Sequence, residues 1–199
     1  MDEEKRSCPG ERYEITWPIC RARQANHYPK CLLCGHSASE PAAGMSSDPK
    51  VKAAIFRSTC VAGKVPSEVN EYVVRKVGTA AAQLLRAEAA GVSDMVVGGD
   101  PRENSPSLAR IFCEGANEGG MNTVSIGQTP PELLRFALST EELGGAAFIG
   151  ACHAAENMNG VRLYRRDGSV LSFENGLDKV ALIARRTRPG RSRNPGQRD

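Results

Sequence analysis

"DMVVGGDPRENSPSLARIFCEGANEGGMNTVSIG", Asp94 to Gly127, contains two short apolar runs with a helical pattern between them. Asp94–Gly99 has the length and Val content of a buried strand, and Met121–Gly127 reads the same way. Between them Ser105-Pro106 opens a helix, because proline is tolerated in a first turn that has no intrahelical N–H partner to lose. A strand, a covering helix and a second strand imply a right-handed crossover and a parallel pair.

The same alternation extends in both directions. Upstream, "VKAAIFRSTCVAG" (51–63) reads as a strand entering a glycine-containing loop. "SEVNEYVVRKVGTAAAQLLRAEAAG" (67–91) then places Val69, Val73, Val77, Ala81, Leu84 and Leu85 on one helical face, with Gly91 as the stop. Downstream, "TPPELLRFALSTEELG" (129–144) is a helix with proline in its first turn, and "AAFIGAC" (146–152) a further strand. "VRLYRRDGSVLS" (161–172) predicts a hairpin about Asp167-Gly168 that supplies an antiparallel edge, and "NGLDKVALIARR" (175–186) a closing helix. The expected fold class is α/β: three layers, α/β/α, around a mostly parallel mixed sheet.

In such sheets ligand chemistry collects in loops at the carboxyl ends of the strands. Three loops qualify: Ser58–Gly63, Gly98–Asn104 and Gly150–Gly160, the last carrying Cys152, His153 and an Asn159-Gly160 turn signal.

The rest of the chain is different. Seven cysteines, an odd number clustered toward the N-terminus, fit a metal site better than a disulfide framework. Cys20, Cys31 and Cys34 are spaced as in a zinc ribbon, with Trp17 where a first ligand would stand. Zinc takes four soft or borderline ligands in a tetrahedron, so Cys8, His27 or His36 would have to complete the shell. The alternative is a metal-free degenerate ribbon packed around Trp17 and Tyr13. "SASEPAAGMSSDPK" (37–50) has linker composition, which divides the chain into a ribbon-like segment (1–36), a linker (37–50), the α/β domain (51–184) and a tail (185–199). That tail holds six arginines and one acid, so its +5 leaves −2 of the formal +3 for everything else. It reads as a solvated, disordered tail rather than a nucleic-acid-binding arm. With 40% hydrophobic and 25% charged residues, no long apolar run and an acidic opening, the composition is that of a cytoplasmic protein outside the membrane.

The three loops resemble, in order, those of the first domain of the phosphohexomutases, the phosphoglucomutase and phosphomannomutase superfamily. "VVGGDPRENSP" is similar to the family's V-V-G-R-D-x-R-x-S-S-P, keeping Asp100, Arg102, Ser105 and Pro106 but with Gly99 in place of arginine. "FRSTCVAGKVPSEVN" resembles F-K-A-Y-D-I-R-G-x-x-P-x-x-L-N, with Cys60 and Ala62 in place of the acid and the arginine. "GACHAAENMNGVR" resembles T-A-S-H-N-P-x-x-x-N-G-x-K, the phosphoserine loop. Cys152 takes the serine's place, His153 the histidine's, Ala154-Ala155 the Asn-Pro, Asn159-Gly160 the Asn-Gly and Arg162 the lysine's.

The resemblance, from about Val51 to Ser172, implies an intramolecular phosphotransferase of carbohydrate metabolism acting on hexose phosphates. Cys152 and His153 would be its catalytic positions, and Asp100, Arg102, Asn159 and Arg162 its phosphate-binding positions. Magnesium would come from an acidic loop in a second domain that the sequence as read does not reach. Sulfur is a poor partner for that hard cation, and Ala62 and Gly99 remove two cations that would face phosphate. The expectation is a catalytically deficient domain I whose ribbon recruits a protein partner. The alternative is residual activity with a partner chain that supplies the missing domains. Read without the resemblance, Cys152 is an inert small residue, Asp100 and Arg102 pair or cap the following helix, and a Cys-His hydrolase lacks a third orienting group.

Overall fold

The structure, a computed structural model, describes residues 5–7, 13–16, 19, 20, 23, 51–89, 91–151 and 157–186. Two short strands, β1 (Lys5–Ser7) and β2 (Glu14–Thr16), form an antiparallel pair near the N-terminus. The main sheet contains β3 (Val61–Lys64), β4 (Asp94–Gly99), β5 (Asn122–Gln128), β6 (Gly145–Ile149) and β7 (Met158–Arg165), in the order β3-β7-β6-β4-β5. β4 is parallel to both β5 and β6, whereas β7 runs antiparallel to β6 and β3. This is the expected three-layer mixed sheet.

Helices α1 (Glu71–Glu88), α2 (Ser105–Glu118), α3 (Pro131–Thr140) and α4 (Leu177–Arg186) cover the sheet unequally. Side chains alternate along a strand, so odd-numbered residues of β4 and β6 face one way and even-numbered ones the other. Met95, Val97, Ala147, Ile149, Val161 and Leu163 join the large core beneath α1, α2 and α4, with Val73, Val77, Phe112 and Val180. Val96, Ala146, Phe148 and Tyr164 form a smaller cluster with Leu134 and Leu138 of α3 and with Leu143. The helix side of the large core is tight. A Cβ on Gly115 would lie 2.0 Å from the Arg75 carbonyl oxygen, and one on Gly78 2.4 Å from that of Phe112, so α1 and α2 approach at backbone distance. Arg75 adds ion pairs to Glu114 and Glu118 of α2.

α1 begins where Asn70 caps it, the Asn70 Oδ1 accepting from the Val73 N–H at 3.1 Å. The expected strand at Val51 is instead a 3₁₀ turn (Ala53–Ile55) and one bridging residue, Phe56. The apolar character was real, since Ile55 and Phe56 are buried, but an apolar run that short serves either conformation. The strand itself starts at Val61, so Ser58–Cys60 precedes β3 rather than following a strand. β7 is also not an edge: β3 pairs with its first half, and the Asp167-Gly168 turn folds back only to a single Tyr164–Val170 bridge. The turn is built as expected, with Gly168 at φ 77° and the Ser169 hydroxyl and N–H holding the Asp167 carboxyl below its usual range. α4 extends through Arg185 and Arg186, two cations at a helix carboxyl end, so the tail does not begin at 185.

Near the N-terminus, Ile15, Ile19 and Cys20 form a small apolar cluster against Tyr13. Arg23, 2% exposed, ties this segment to the domain by donating to Glu71 Oε1 at 2.6 Å and to the Tyr13 hydroxyl at 3.0 Å. Cys8, Cys31, Cys34, His27, His36 and Trp17 lie outside the described residues, as do the linker and residues 187–199. Cys20 is an apolar contact here, and no group of three or more metal-ligating side chains is assembled among the described residues. No helix of the described residues is long and apolar enough to cross a membrane.

Candidate functional site

β4, β6 and, through its parallel relation to them, β3 all end at the same edge of the sheet, where the Gly98–Asn104 and Gly150–Gly160 loops meet. Asp100 organises that edge. Its Oδ1 accepts from the Arg102 N–H (3.3 Å) and from the Ser105 hydroxyl, and its Oδ2 from Arg102 Nε (3.1 Å) and the Ala151 N–H (3.0 Å). The last bond fixes the backbone at Ala151, the first foot of the stretch between the described residues 151 and 157. Gly150 permits it, because a Cβ there would sit 2.8 Å from Asp100 Oδ2 and 2.5 Å from the Phe148 ring.

The second foot is held by Asn159, which is fully buried. Its Nδ2 donates to Asn104 Oδ1 at 2.5 Å and to Ser105 Oγ at 2.9 Å, while its Oδ1 accepts from the Gly160 N–H at 2.7 Å. Ser105 therefore links the two feet, donating to Asp100 and accepting from Asn159. The Asn157 carbonyl adds a bond from the Val65 N–H at 3.1 Å. Asn159-Gly160 is thus not a turn: both residues are in β7, and Gly160 is required because a Cβ would fall 1.9 Å from the Val61 carbonyl oxygen.

Of the expected site residues, the structure brings together Asp100, Arg102 and Asn159. The reading that Asp100 and Arg102 pair is what the geometry gives. Arg162 stands opposite Phe148 on the α3 face, one strand step below the loop, and its Nε is buried with no hydrogen-bond partner among the described residues. Cys152 and His153 lie outside the described residues. Asn104 and Ser105 act in the frame in a way the sequence does not announce, since Ser105-Pro106 alone signals a helix opening. The signal was a hydroxyl residue five positions after an acid at a strand end.

The described residues do not fit magnesium. Asp100 is the only carboxylate in the frame, both its oxygens are already committed to hydrogen bonds, and no cluster of hard ligands surrounds it. Ala62 and Gly99 are buried at the positions where the resemblance expects arginines. At Gly99 the backbone is fitted to the loss: a Cβ would lie 2.9 Å from the Ile149 carbonyl oxygen. Cys60 and Cys113 are buried, where a small side chain fits the core.

Residues 53–187 match the family model described as phosphoglucomutase/phosphomannomutase, alpha/beta/alpha domain I. A phosphomannomutase of Vibrio cholerae serotype O1 is 28% identical over 129 residues, which is 65% of this chain and 28% of that one. "Phosphohexose mutases" of Xanthomonas campestris pv. campestris (strain B100) are 30% identical over 123 residues, 61% of this chain and 26% of theirs. This chain thus spans about a quarter of the length of those relatives. A phosphoglucomutase/phosphomannomutase family protein from Burkholderia thailandensis superposes with a TM-score of 0.64 at 21% identity, covering 75% of this chain and 33% of the other. With its α/β/α layers and the polar frame of Asp100, Ser105 and Asn159, the chain belongs to the phosphoglucomutase/phosphomannomutase family, through that family's domain I.

Proposed function

We propose that this chain is a domain I that holds a hexose phosphate without turning it over, a catalytically deficient member of a carbohydrate-metabolising family in the cytoplasm. The observation that carries the reading is the contrast within one site. The Asp100–Ser105–Asn159 frame is complete, whereas Ala62 and Gly99 supply no charge to neutralise a moving phosphoryl group. Cys152, in the phosphoserine's place, would offer sulfur where a hard cation prefers oxygen. Arg162 remains as the cation for a bound phosphate, with its buried Nε lacking a protein acceptor among the described residues.

Two measurements test this. Glucose 1-phosphate with magnesium and the purified chain should give no glucose 6-phosphate; turnover abolished by Cys152→Ala would overturn the reading. Calorimetry with glucose 6-phosphate should show binding that weakens about tenfold in Arg162→Ala, the loss of roughly one charged hydrogen bond.

The intact frame also favours a second reading, in which a partner chain supplies the missing chemistry and His153 and Cys152 act in a shared site. Turnover that appears only when a cell extract is added, and not with Cys152→Ala, would identify it. The zinc assignment to Cys8, Cys20, Cys31 and Cys34, and with it a ribbon that recruits a protein, is supported by sequence spacing alone. Metal analysis decides between one zinc per chain and a metal-free ribbon.

A further inference from the structure

The outer side of α1 is buried at one end and open at the other. At 3.6 residues per turn Tyr72, Lys76, Gln83 and Ala87 fall within about 60° of one another, on the side turned away from Val77, Ala81 and Leu85 of the core. Gln83 and Ala87 are exposed, as that side of a surface helix should be. Tyr72 and Lys76 are 7% and 8% exposed, and the Lys76 Nζ lies 5.3 Å from the centre of the Tyr72 ring. Lysine is seldom buried that far on an open helix face. The first turns of α1 are therefore covered from outside the three layers.

The chain's own N-terminal segment reaches that end. Arg23 Nη2 donates to Glu71 Oε1 at 2.6 Å and to the Tyr13 hydroxyl at 3.0 Å, and the guanidinium carbon lies 5.8 Å from the centre of the Tyr13 ring. The Arg23 and Glu71 side chains are 1% and 11% exposed, so salt screens the pair little and removal of either partner strands a buried charge. From Glu71 a run of bonds leads to the candidate site. β3 ends at Lys64 on the site's edge, and the turn that follows carries the chain into α1. Asn70, next to Glu71, caps α1, and its Nδ2 donates to the Pro66 carbonyl at 3.1 Å. The neighbouring Val65 N–H donates to the Asn157 carbonyl at 3.1 Å, two residues before Asn159 in the second foot.

We propose that the segment carrying Tyr13 and Arg23 is a strap on α1: Arg23 clamps Glu71, the clamp holds the 65–70 turn against Asn157, and release of the segment loosens the second foot while the first, Ala151 on Asp100, stays in place. The buried Tyr72 and Lys76 mark the strap's seat, and the Arg23–Glu71 bond identifies what sits there. The clamp is releasable because it hangs on one carboxylate. A cation at a helix N-terminus opposes the helix dipole, so Glu71 and not the helix holds Arg23 there. A partner that draws the segment away is then felt at the site without touching it. This holds whether or not the site binds a sugar phosphate.

In the full chain, Arg23→Met should speed chymotryptic cleavage within residues 1–50 by about tenfold or more, the loss of one buried charged bond. It should also speed hydrogen exchange at the Val65 amide by about tenfold more than at Val97, in the middle of β4. Exchange at Ala151, on the first foot, should follow Val97. Glu71→Gln, which keeps the shape of the first turn of α1, should move both readouts in the same direction, and it carries the test if Arg23→Met misfolds. The double variant should be no worse than Arg23→Met alone, because the two residues act as one pair. Cleavage at the wild-type rate would show that the pair does not hold the segment. Faster cleavage with Val65 exchange unchanged would uncouple the segment from the site, and uniform acceleration of all amides would assign Arg23 to the fold at large. Each of these overturns the proposal, as does additivity of the two substitutions.

Discussion

The two faces of the central sheet differ in how much they bury. On one side α1, α2 and α4 enclose a core that runs from Val51 to Ala184, and two glycines let α1 and α2 approach at backbone distance. On the other, α3 is the one helix among the described residues that packs on Val96, Ala146, Phe148 and Tyr164, and Leu133 and Phe136 of α3 stay exposed. The sheet is thus anchored more heavily from one side. The candidate site sits at the end of both faces, and its polar frame draws its stability from α2, on the well-packed side.

That asymmetry can be broken most severely at Gly115. A methyl group there meets the Arg75 carbonyl, which has no flexible end to move, so Gly115→Ala should cost about 3–5 kcal/mol or prevent folding, read by urea denaturation. Phe112→Ala, fully buried in the same core, should cost about 3–5 kcal/mol. Leu134→Ala on the α3 face should cost about 2–3 kcal/mol, because a cavity beneath one helix collapses more easily. Equal losses at Phe112 and Leu134 would erase the distinction between the faces. Asn159→Ala should cost about 1–3 kcal/mol, since it strands the Gly160 N–H and leaves Ser105 and Asn104 each short of a partner. Its signature is faster hydrogen exchange at Ala151 and Asn157 with little change at β5; uniform acceleration would mean that Asn159 serves the fold rather than the loop.

Much of this was legible in the sequence because local and global signals agreed. β4 has its expected limits, α1 buries Val73, Val77, Ala81 and Leu85 on one face with Val69 buried just before its cap, and Pro106 and Pro131 mark helix starts where a missing N–H costs nothing. The misreadings came where one residue type serves two geometries. Asn159-Gly160 signals a turn in isolation, but here the glycine admits the neighbouring strand and the asparagine reaches across to α2. Ile55 and Phe56 are apolar because they are buried, and burial alone did not distinguish a 3₁₀ turn from a strand. The Asp100–Ser105 bond was hidden because its meaning depends on Asn159, 54 positions beyond the serine. The buried Arg23–Glu71 pair joins residues 48 apart, and no local pattern announces it.

The smallest expected effect is also the sharpest test of the comparison. Phe136 is the most exposed of the large apolar side chains on the α3 side, so Phe136→Asp should change stability by no more than about 0.5 kcal/mol. Urea denaturation of the two proteins checks it, and a loss of more than about 1 kcal/mol would mean that Phe136 is packed in the folded chain despite its exposure, which would narrow the difference between the two faces.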